Sequence, residues 1–308
     1  GPSQPGRVVL GVIGDVVQDV VVWQLEPQRK ATDTKSEIVM RRGGSAANVA
    51  AFAGPRYPTR FIGCVGDDLG GHVLQQELEG HGVDVRLQVD RSASTGMIVL
   101  LIDELGERTM FPSRGANARL VDIDPAWLED LEILHVTAYS FESGSTADAV
   151  LDALARQHER GGLVSFDVSS TGLIRHYGVE AFVDLVQGCR PDFISANEDE
   201  CEILDLAHGG GPGAGLDRFP GVVLLARRGK EATTVMKDGQ VIAMVPVDPV
   251  EDVRDLTGAG DAFNAGFLTS YLTSGGDLMH SVEAAHALAA RVLRSPGATE
   301  EPHTHAIE

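Results

Sequence analysis

LEILHVTA (131–138), TADAVLDALARQHERG (146–161), LVSFDV (163–168), VEAFVDLVQGC (179–189), PDFISA (191–196) and NEDECEILDLA (197–207) set the rhythm of this chain. Short apolar runs alternate with longer stretches whose apolar residues recur at helical spacing, which predicts strand, helix, strand, helix. Strands that read as continuous apolar runs are buried on both faces, so the alternation implies an α/β protein with a mostly parallel central sheet flanked by helices. Ligands of such sheets bind beyond the carboxyl ends of the strands.

Outward from that block the pattern continues. VVLLA (222–226) predicts another strand, preceded by GGGPGAG (209–215), which reads as a flexible glycine-rich loop. Towards the N-terminus, RVVLGVIG (7–14) reads as a buried strand ending in glycine, and GGSAANVAAFAG (43–54) as a loop entering a tightly packed helix of small residues. TRFIGCV (59–65) predicts a strand, followed by a helix over about 70–79 with Val73, Leu74 and Leu78 on one face. The stretches near 16–41 and 94–114 are rich in β-branched residues, and ELGE (104–107) looks like a hairpin turn. These two stretches predict a small β-sheet lid, whose exposed edges could pair in a homodimer.

Composition narrows the function. With 25 Lys plus Arg against 45 Asp plus Glu, the formal charge of the 308 residues is −20, so nucleic acid and anionic membranes are repelled. No apolar run reaches the length that spans a bilayer. The widely spaced Cys64, Cys189 and Cys201 form no metal or redox pair and point to reduced thiols in a cytoplasmic setting. The opening GPSQPG lacks the features of a secretion signal and reads as a tag remnant with a loose tip; EPHTHAIE (301–308) reads as a tail rather than a metal site.

The chemistry concentrates in DLTGAGDAFNAGFLTSYL (255–272). Gly258, Ala259 and Gly260 can bring successive backbone NH groups together, and the apolar pattern from Ala262 onward starts a helix whose N-terminus favours an anion. Asp261 lies beside that turn, where it can cap the helix or take a proton from an attacking hydroxyl; the helix start alone does not decide. DLTGAGDAF closely resembles the DTxGAGDxF signature of the ribokinase-like, or PfkB, carbohydrate kinases, with Leu256 as the one departure. The resemblance implies Asp261 as catalytic base, Gly258, Ala259 and Gly260 as the anion hole, Thr257 at the nucleotide, and Asp255 in the phosphate and monovalent-cation region.

Further segments resemble the same family over nearly the whole chain, about residues 6–300. GGSAAN (43–48) is similar to GGxxAN, which implies Gly43, Gly44 and Asn48 at the substrate. GDVVQD (14–19) matches the end of the first strand, with Asp19 the first candidate for a substrate hydroxyl and Asp15 the second. IGCVGDDLGG (62–71) and GAN (115–117) also match family segments. NEDE (197–200) is similar to NxxE, which implies Asn197 and Glu200 around Mg²⁺. LLARRG (224–229) stands where relatives have TLGxxG; it retains Gly229 but not the polar residue or first glycine, and Arg227 and Arg228 read equally as phosphate contacts or exposed turn charges. The helix around Ala285–Leu293 is expected to wall the adenine.

The implied activity is transfer of a phosphoryl group from ATP, with Mg²⁺ and K⁺ as the candidate ions, to a primary hydroxyl of a small unphosphorylated sugar. Glu142 is a further substrate candidate. Trp23, Met110 and Phe111 in the lid could stack on a base, which keeps nucleosides as alternative substrates. A nicotinamide-dependent oxidoreductase would need a glycine fingerprint where GDVVQD stands. A catalytically silent sugar- or nucleotide-binding protein remains the alternative from another class, and retention of Asp261 argues against it.

Overall fold

The computed structural model describes residues 9–251, 253 and 258–295. Asp255 and Thr257, the N-terminal tip and the 301–308 tail lie outside these residues. The chain opens with strand β1 (Val9–Ile13) and then leaves the main sheet for β2 (Val17–Gln24) and β3 (Ser36–Gly43). Helix α1 (Ser45–Ala53), β4 (Thr59–Gly66), α2 (Leu69–Gly80) and β5 (Asp84–Asp90) return it, before β6 (Met97–Ile102) and β7 (Arg108–Ser113) leave again. The regular half follows: β8 (Leu131–Thr137), α3 (Thr146–Glu159), β9 (Leu163–Asp167), α4 (Thr171–Tyr177), α5 (Val179–Cys189), β10 (Phe193–Asn197) and α6 (Glu198–Ile203). A two-residue pair, β11 (Ala207–His208) and β12 (Gly211–Pro212), precedes β13 (Val223–Arg227), β14 (Ala232–Lys237), β15 (Gln240–Pro246), α7 (Ala259–Thr273) and α8 (Leu278–Leu293).

Nine strands form one sheet in the order β15-β14-β13-β10-β9-β8-β1-β4-β5. All neighbours from β13 to β5 run parallel, and β14 and β15 add an antiparallel edge. From β1 the chain winds to β4 and β5 on one side and to β8, β9, β10 and β13 on the other. The strand order therefore reverses between β1 and β8, which is where such sheets open a crevice. Alternate side chains of each strand serve two cores: Ile133 of β8 packs with α1, α7 and α8, while Leu134 and Val136 pack with α3 and α5 on the opposite face. This two-sided burial is why the strands read as unbroken apolar runs.

The lid exists as a separate four-stranded sheet, ordered β3-β2-β6-β7. Strands β2 and β6 pair in parallel and the outer pairs are antiparallel, with the β6–β7 turn around the expected ELGE. Three local expectations need correction. Val73 is exposed while Leu74 and Leu78 are buried, because α2 turns Gly70, Gly71, Leu74 and Leu78 inward. GGGPGAG is an ordered connection: Gly213 and Gly215 donate to the carbonyls of Leu206 and Asp205, and a short 3₁₀ turn runs over Ala214–Arg218. The helix expected over 197–207 stops at Ile203, and Asp205 takes a left-handed φ of 55°. Helix α4 and the hairpin β14–β15 have no counterpart in the sequence reading. The hairpin had a signal in Asp238-Gly239, both at positive φ between two alternating runs.

Helix α7 is buried almost all round, from Ala262 to Ser270, between the sheet, α1 and α8. Gly266 lets it approach α8 so closely that a Cβ there would stand 2.9 Å from the Ala285 Cα. Because both partners are backbone-bearing helices, Gly266→Val should lower stability by about 1–3 kcal/mol in urea unfolding, as overpacked cores do. A variant as stable as the parent would show that α7 and α8 can separate without cost.

Candidate functional site

Four strands of the main sheet deliver a functional side chain at or just past their carboxyl ends: Asp15 after β1, Asp167 from β9, Asn197 from β10 and Arg227 from β13. Helix α7 begins over the same edge. Its N-cap, Gly258, sits at φ 82° and ψ 0°, a left-handed turn that glycine adopts without steric cost, and contributes no side chain to cap the helix. The first intrahelical donor is the NH of Ala262, bonded to the Gly258 carbonyl at 2.8 Å. The NH groups of Ala259, Gly260 and Asp261 therefore precede the helical ladder at the edge of the crevice and make a candidate anion site.

Asp261 stands in the first turn of α7. Ser45 Oγ donates to its Oδ1 at 2.6 Å, and Asn48 Nδ2 donates to its Oδ2 at 3.0 Å. Each carboxylate oxygen keeps a lone pair for a further donor. Loss of water in the crevice raises the Asp261 carboxyl to about 6 against the lowering by Ser45 and Asn48, with nearby Asp167 pushing up and Arg227 pulling down. Such a group is ionised near neutral pH and can still hold a proton.

Arg227 supplies the cation beside the anion site. A Cβ on Gly260 would stand 2.8 Å from Arg227 Nη1, so the guanidinium packs directly on the first turn of α7. It also lies over the Phe263 ring, donates to Ser195 Oγ at 3.2 Å, and pairs with Asp167 at 3.5 Å. Desolvation raises the Asp167 carboxyl, with Arg227 as the largest opposing influence.

Glu200 and Asp167 are both buried on this edge. Asn197 and Glu200 form a reciprocal capping box at the start of α6: Asn197 Oδ1 accepts from the Glu200 NH at 2.8 Å, and Glu200 Oε1 accepts from the Asn197 NH at 2.9 Å. Burial, with the charge of Asp167 as the next influence, pushes the Glu200 carboxyl up to about 7. Two buried acidic groups, both raised by desolvation and one of them also by the other, fit a hard divalent cation such as Mg²⁺. Among the described residues no three His, Cys, Asp or Glu side chains are gathered to hold a metal directly. The fit is thus to an ion carried largely by water and a bound phosphate, with Asn197 and Glu200 at its edge.

Between the lid and this floor lies a cavity of about 660 Å³ reaching from Asp15 and Asp19 to Asp261. The underside of the lid lines it with Ile98, Leu100, Met110 and Pro112. Asp15 pairs with Arg114 at 3.1 Å, and desolvation nonetheless raises its carboxyl. Asp19, raised by burial to about 6, faces Arg41 and Arg42. Gly44, Ser45 and Glu142 also line the cavity. Gly44, at φ 90°, lies so close to the Asp15 carbonyl that a Cβ would collide with it. Gly43 and Asn48 stand behind this wall rather than in it: Gly43 packs on the Asp19 carboxylate, and the Asn48 amide is taken up by Arg42 and Asp261. Of the three lid residues considered for stacking, Met110 enters the cavity. Phe111 is exposed on the opposite face, as strand alternation requires, and Trp23 lies outside the lining.

A second cavity, about 700 Å³, joins the first at Asn197, Arg227 and Gly260. Arg228, Gly229, Ala259 and Phe263 line it, with His286, Ala289, Ala290 and Leu293 from α8; Ala285 belongs to the core instead. Arg228 is paired with Glu231 at 2.6 Å. Sequence reasoning left Arg227 undecided and passed over Ser45 and Asp167 as functional groups. Asp167 had a signal, a carboxylate at the end of an apolar run.

Residues 10–305 match the family model described as pfkB family carbohydrate kinase. The chain is 30% identical over 271 residues to an ATP-dependent ribose-1-phosphate kinase from Halopiger xanaduensis, covering 86% of this chain and 84% of that protein. It is 28% identical over 261 residues to adenosine kinase from Dictyostelium discoideum, covering 78% and 74% of the two chains. A candidate ribokinase II from E. coli, solved in complex with ATP and Mg²⁺, shares the fold with a TM-score of 0.80 at 23% identity, over 95% of this chain and 94% of that one.

The raised carboxyls have a consequence for stability. Asp19, Asp261 and Glu200 titrate near 6, 6 and 7 in the folded protein, above the ordinary values of 3.8, 3.8 and 4.5. Between about pH 4 and 7 the folded state holds more protons at these groups than the unfolded state, so their contribution to stability falls as pH rises. The ligand-free protein should lose Tm from pH 5 to pH 7.5, and Asp261→Asn should flatten that slope. A Tm slope identical in the two proteins would mean that Asp261 titrates near its ordinary value.

Proposed function

The chain belongs to the pfkB family of carbohydrate kinases, and from that premise we propose that Asp261 is the base that activates a primary hydroxyl of a ribose-like sugar for attack on ATP. The carrying observation is the shared first turn of α7: a carboxylate with lone pairs to spare stands next to three backbone NH groups that no side chain caps. A proton acceptor and an oxyanion site one residue apart are what phosphoryl transfer to an alcohol requires.

In this reading the acceptor lies in the cavity beneath the lid, its hydroxyls directed to Asp15 and Asp19, with one hydroxyl against Asp261. ATP occupies the second cavity, its base between α8 and Phe263 and its γ-phosphate at the NH groups of Ala259 and Gly260. The acceptor oxygen forms its bond to the γ-phosphorus as its proton passes to Asp261, and the bond to the β–γ bridging oxygen breaks to release ADP. Arg227 and the α7 N-terminus stabilise the charge on the transferring group. Mg²⁺, when bound with the nucleotide, neutralises phosphate charge, and Asn197 and Glu200 are the residues placed to orient its waters. The lid covers the acceptor and keeps water from competing as nucleophile.

A second reading, a nucleoside as acceptor, is favoured by the lid's underside. Ile98, Leu100, Met110 and Pro112 present an apolar ceiling that suits a base attached to the ribose, whereas a free sugar would place hydroxyls against it.

With Mg-ATP and a panel of ribose, fructose and adenosine, the protein should yield a phosphomonoester on a primary hydroxyl, identified by ³¹P NMR and mass spectrometry. Asp261→Asn should lower turnover about 10²–10⁴-fold with an unchanged circular dichroism spectrum. Arg227→Gln should lower turnover by about 10²-fold, in the range seen for loss of one charge-stabilising donor. Full activity in Asp261→Asn would remove the proposed base, and ADP formation that no acceptor accelerates would remove the kinase reading.

A further inference from the structure

The last residues of β3 place Arg42 behind the catalytic turn. Its side chain is only 4% exposed. Nε donates to Asn48 Oδ1 at 3.1 Å, Nη1 reaches Glu77 Oε1 of α2 at 2.5 Å, and the guanidinium lies 6.0 Å over the Phe52 ring. Glu77 is bonded in turn to His81 Nε2 at 2.9 Å. A continuous line of hydrogen bonds thus joins α2 to the base: Glu77, Arg42, Asn48, Asp261.

An asparagine amide has two faces, an acceptor oxygen and a donor NH₂, and nothing intrinsic decides which one turns to a neighbour. Next to Asp261 the choice matters. The NH₂ stabilises the carboxylate, whereas the carbonyl oxygen would repel it and favour a protonated carboxyl that donates. Arginine has donors only, so any amide atom bonded to Arg42 must be the oxygen. The NH₂ is then left facing Asp261.

We infer that Arg42 is a positioning residue for the base: it locks the Asn48 amide with its NH₂ towards Asp261 and so holds Asp261 in the proton-accepting form. This inference rests on the role of Asp261 proposed above. Other charged or titratable groups act on Asp261 from the surrounding elements, namely Arg227 of β13, Asp167 of β9 and Tyr139 after β8, while Glu77, Asp19 and the charge of Asp261 itself act on Arg42. None of them can select the face of the amide, because none of them bonds to Asn48 Oδ1. Ser45 acts separately, on Asp261 Oδ1.

The test follows the titration of the Asp261 carboxyl carbon by ¹³C NMR, assigned by the signal that Asp261→Asn removes, together with the acid limb of the pH profile of kcat/KM. In Arg42→Met the midpoint should rise by about one unit, with activity recovering at higher pH. Should Arg42→Met fail to fold, Arg42→Met/Glu77→Leu removes both members of the ion pair together, so that Glu77 is not left without its arginine, and the same rise is expected. The latch acts through Asn48, so adding Arg42→Met to Asn48→Ala should cause no further shift. A shift that persists in the Asn48→Ala background would mean that the guanidinium acts through its charge alone, and an unmoved midpoint in both Arg42 variants would remove the latch altogether. A wild-type protein that turns over no acceptor would sink the kinase reading, yet the carboxyl titration would still decide the role of Arg42.

Discussion

Everything in the crevice depends on one contact between distant parts of the chain: the Asp261 carboxylate held by Ser45 and Asn48. It ties the N-terminus of α7 to the N-terminus of α1, elements that start more than two hundred residues apart. Both helices are anchored in the same core, beside Leu10, Val12 and Ile133 of the central strands. Rigid packing at the far ends of α1 and α7 is therefore converted into fixed donor positions at the near ends. A carboxylate presented from a loop would lose conformational entropy to reach the same geometry.

The second constraint is electrostatic. A protein of formal charge −20 is a poor general receptor for polyphosphate. At the start of α7 positive character is concentrated in two ways: three NH groups left uncapped because Gly258 has no side chain, and an arginine laid beside them because Gly260 has none either. The same edge also gathers Asp167 and Glu200, both raised chiefly by burial, with the charge of Asp167 adding to the rise at Glu200. Groups held in an uncomfortable ionisation state are a common mark of sites prepared for a charged ligand. Here the discomfort has the sign that a divalent cation would relieve.

Much of the fold was legible because strands buried on both faces must be apolar throughout, and helices on a sheet must be apolar on one stripe. The rule misjudged elements that sit at the margins of the sheet. The β14–β15 hairpin forms an antiparallel edge with an exposed face at Val241, Ile242 and Met244, so it lacks the signature of the central strands. Glycines 209–215 looked flexible because glycine is permissive in isolation, yet Gly213 and Gly215 are fixed by hydrogen bonds to the turn after α6. Val73 fits a helical spacing with Leu74 and Leu78 but lies just outside the arc that α2 buries.

By itself the sequence determined the fold class, the lid and the helix-opening turn at residues 258–261, since each is encoded by local periodicity or by consecutive residues. Only the tertiary structure decided which side chains face that turn. Ser45, Asp167 and Arg227 come from three separate segments, and each is a polar residue of a common type whose local surroundings in the chain carry no mark of its partner. Their meeting is set by the parallel strand register and by helix packing, which bring strand ends into one crevice from positions the one-dimensional pattern leaves unrelated. Asn48 shows the difference most clearly: its sequence context points to the crevice, but its amide is held between Asp261 and an arginine that is itself paired with Glu77 of α2.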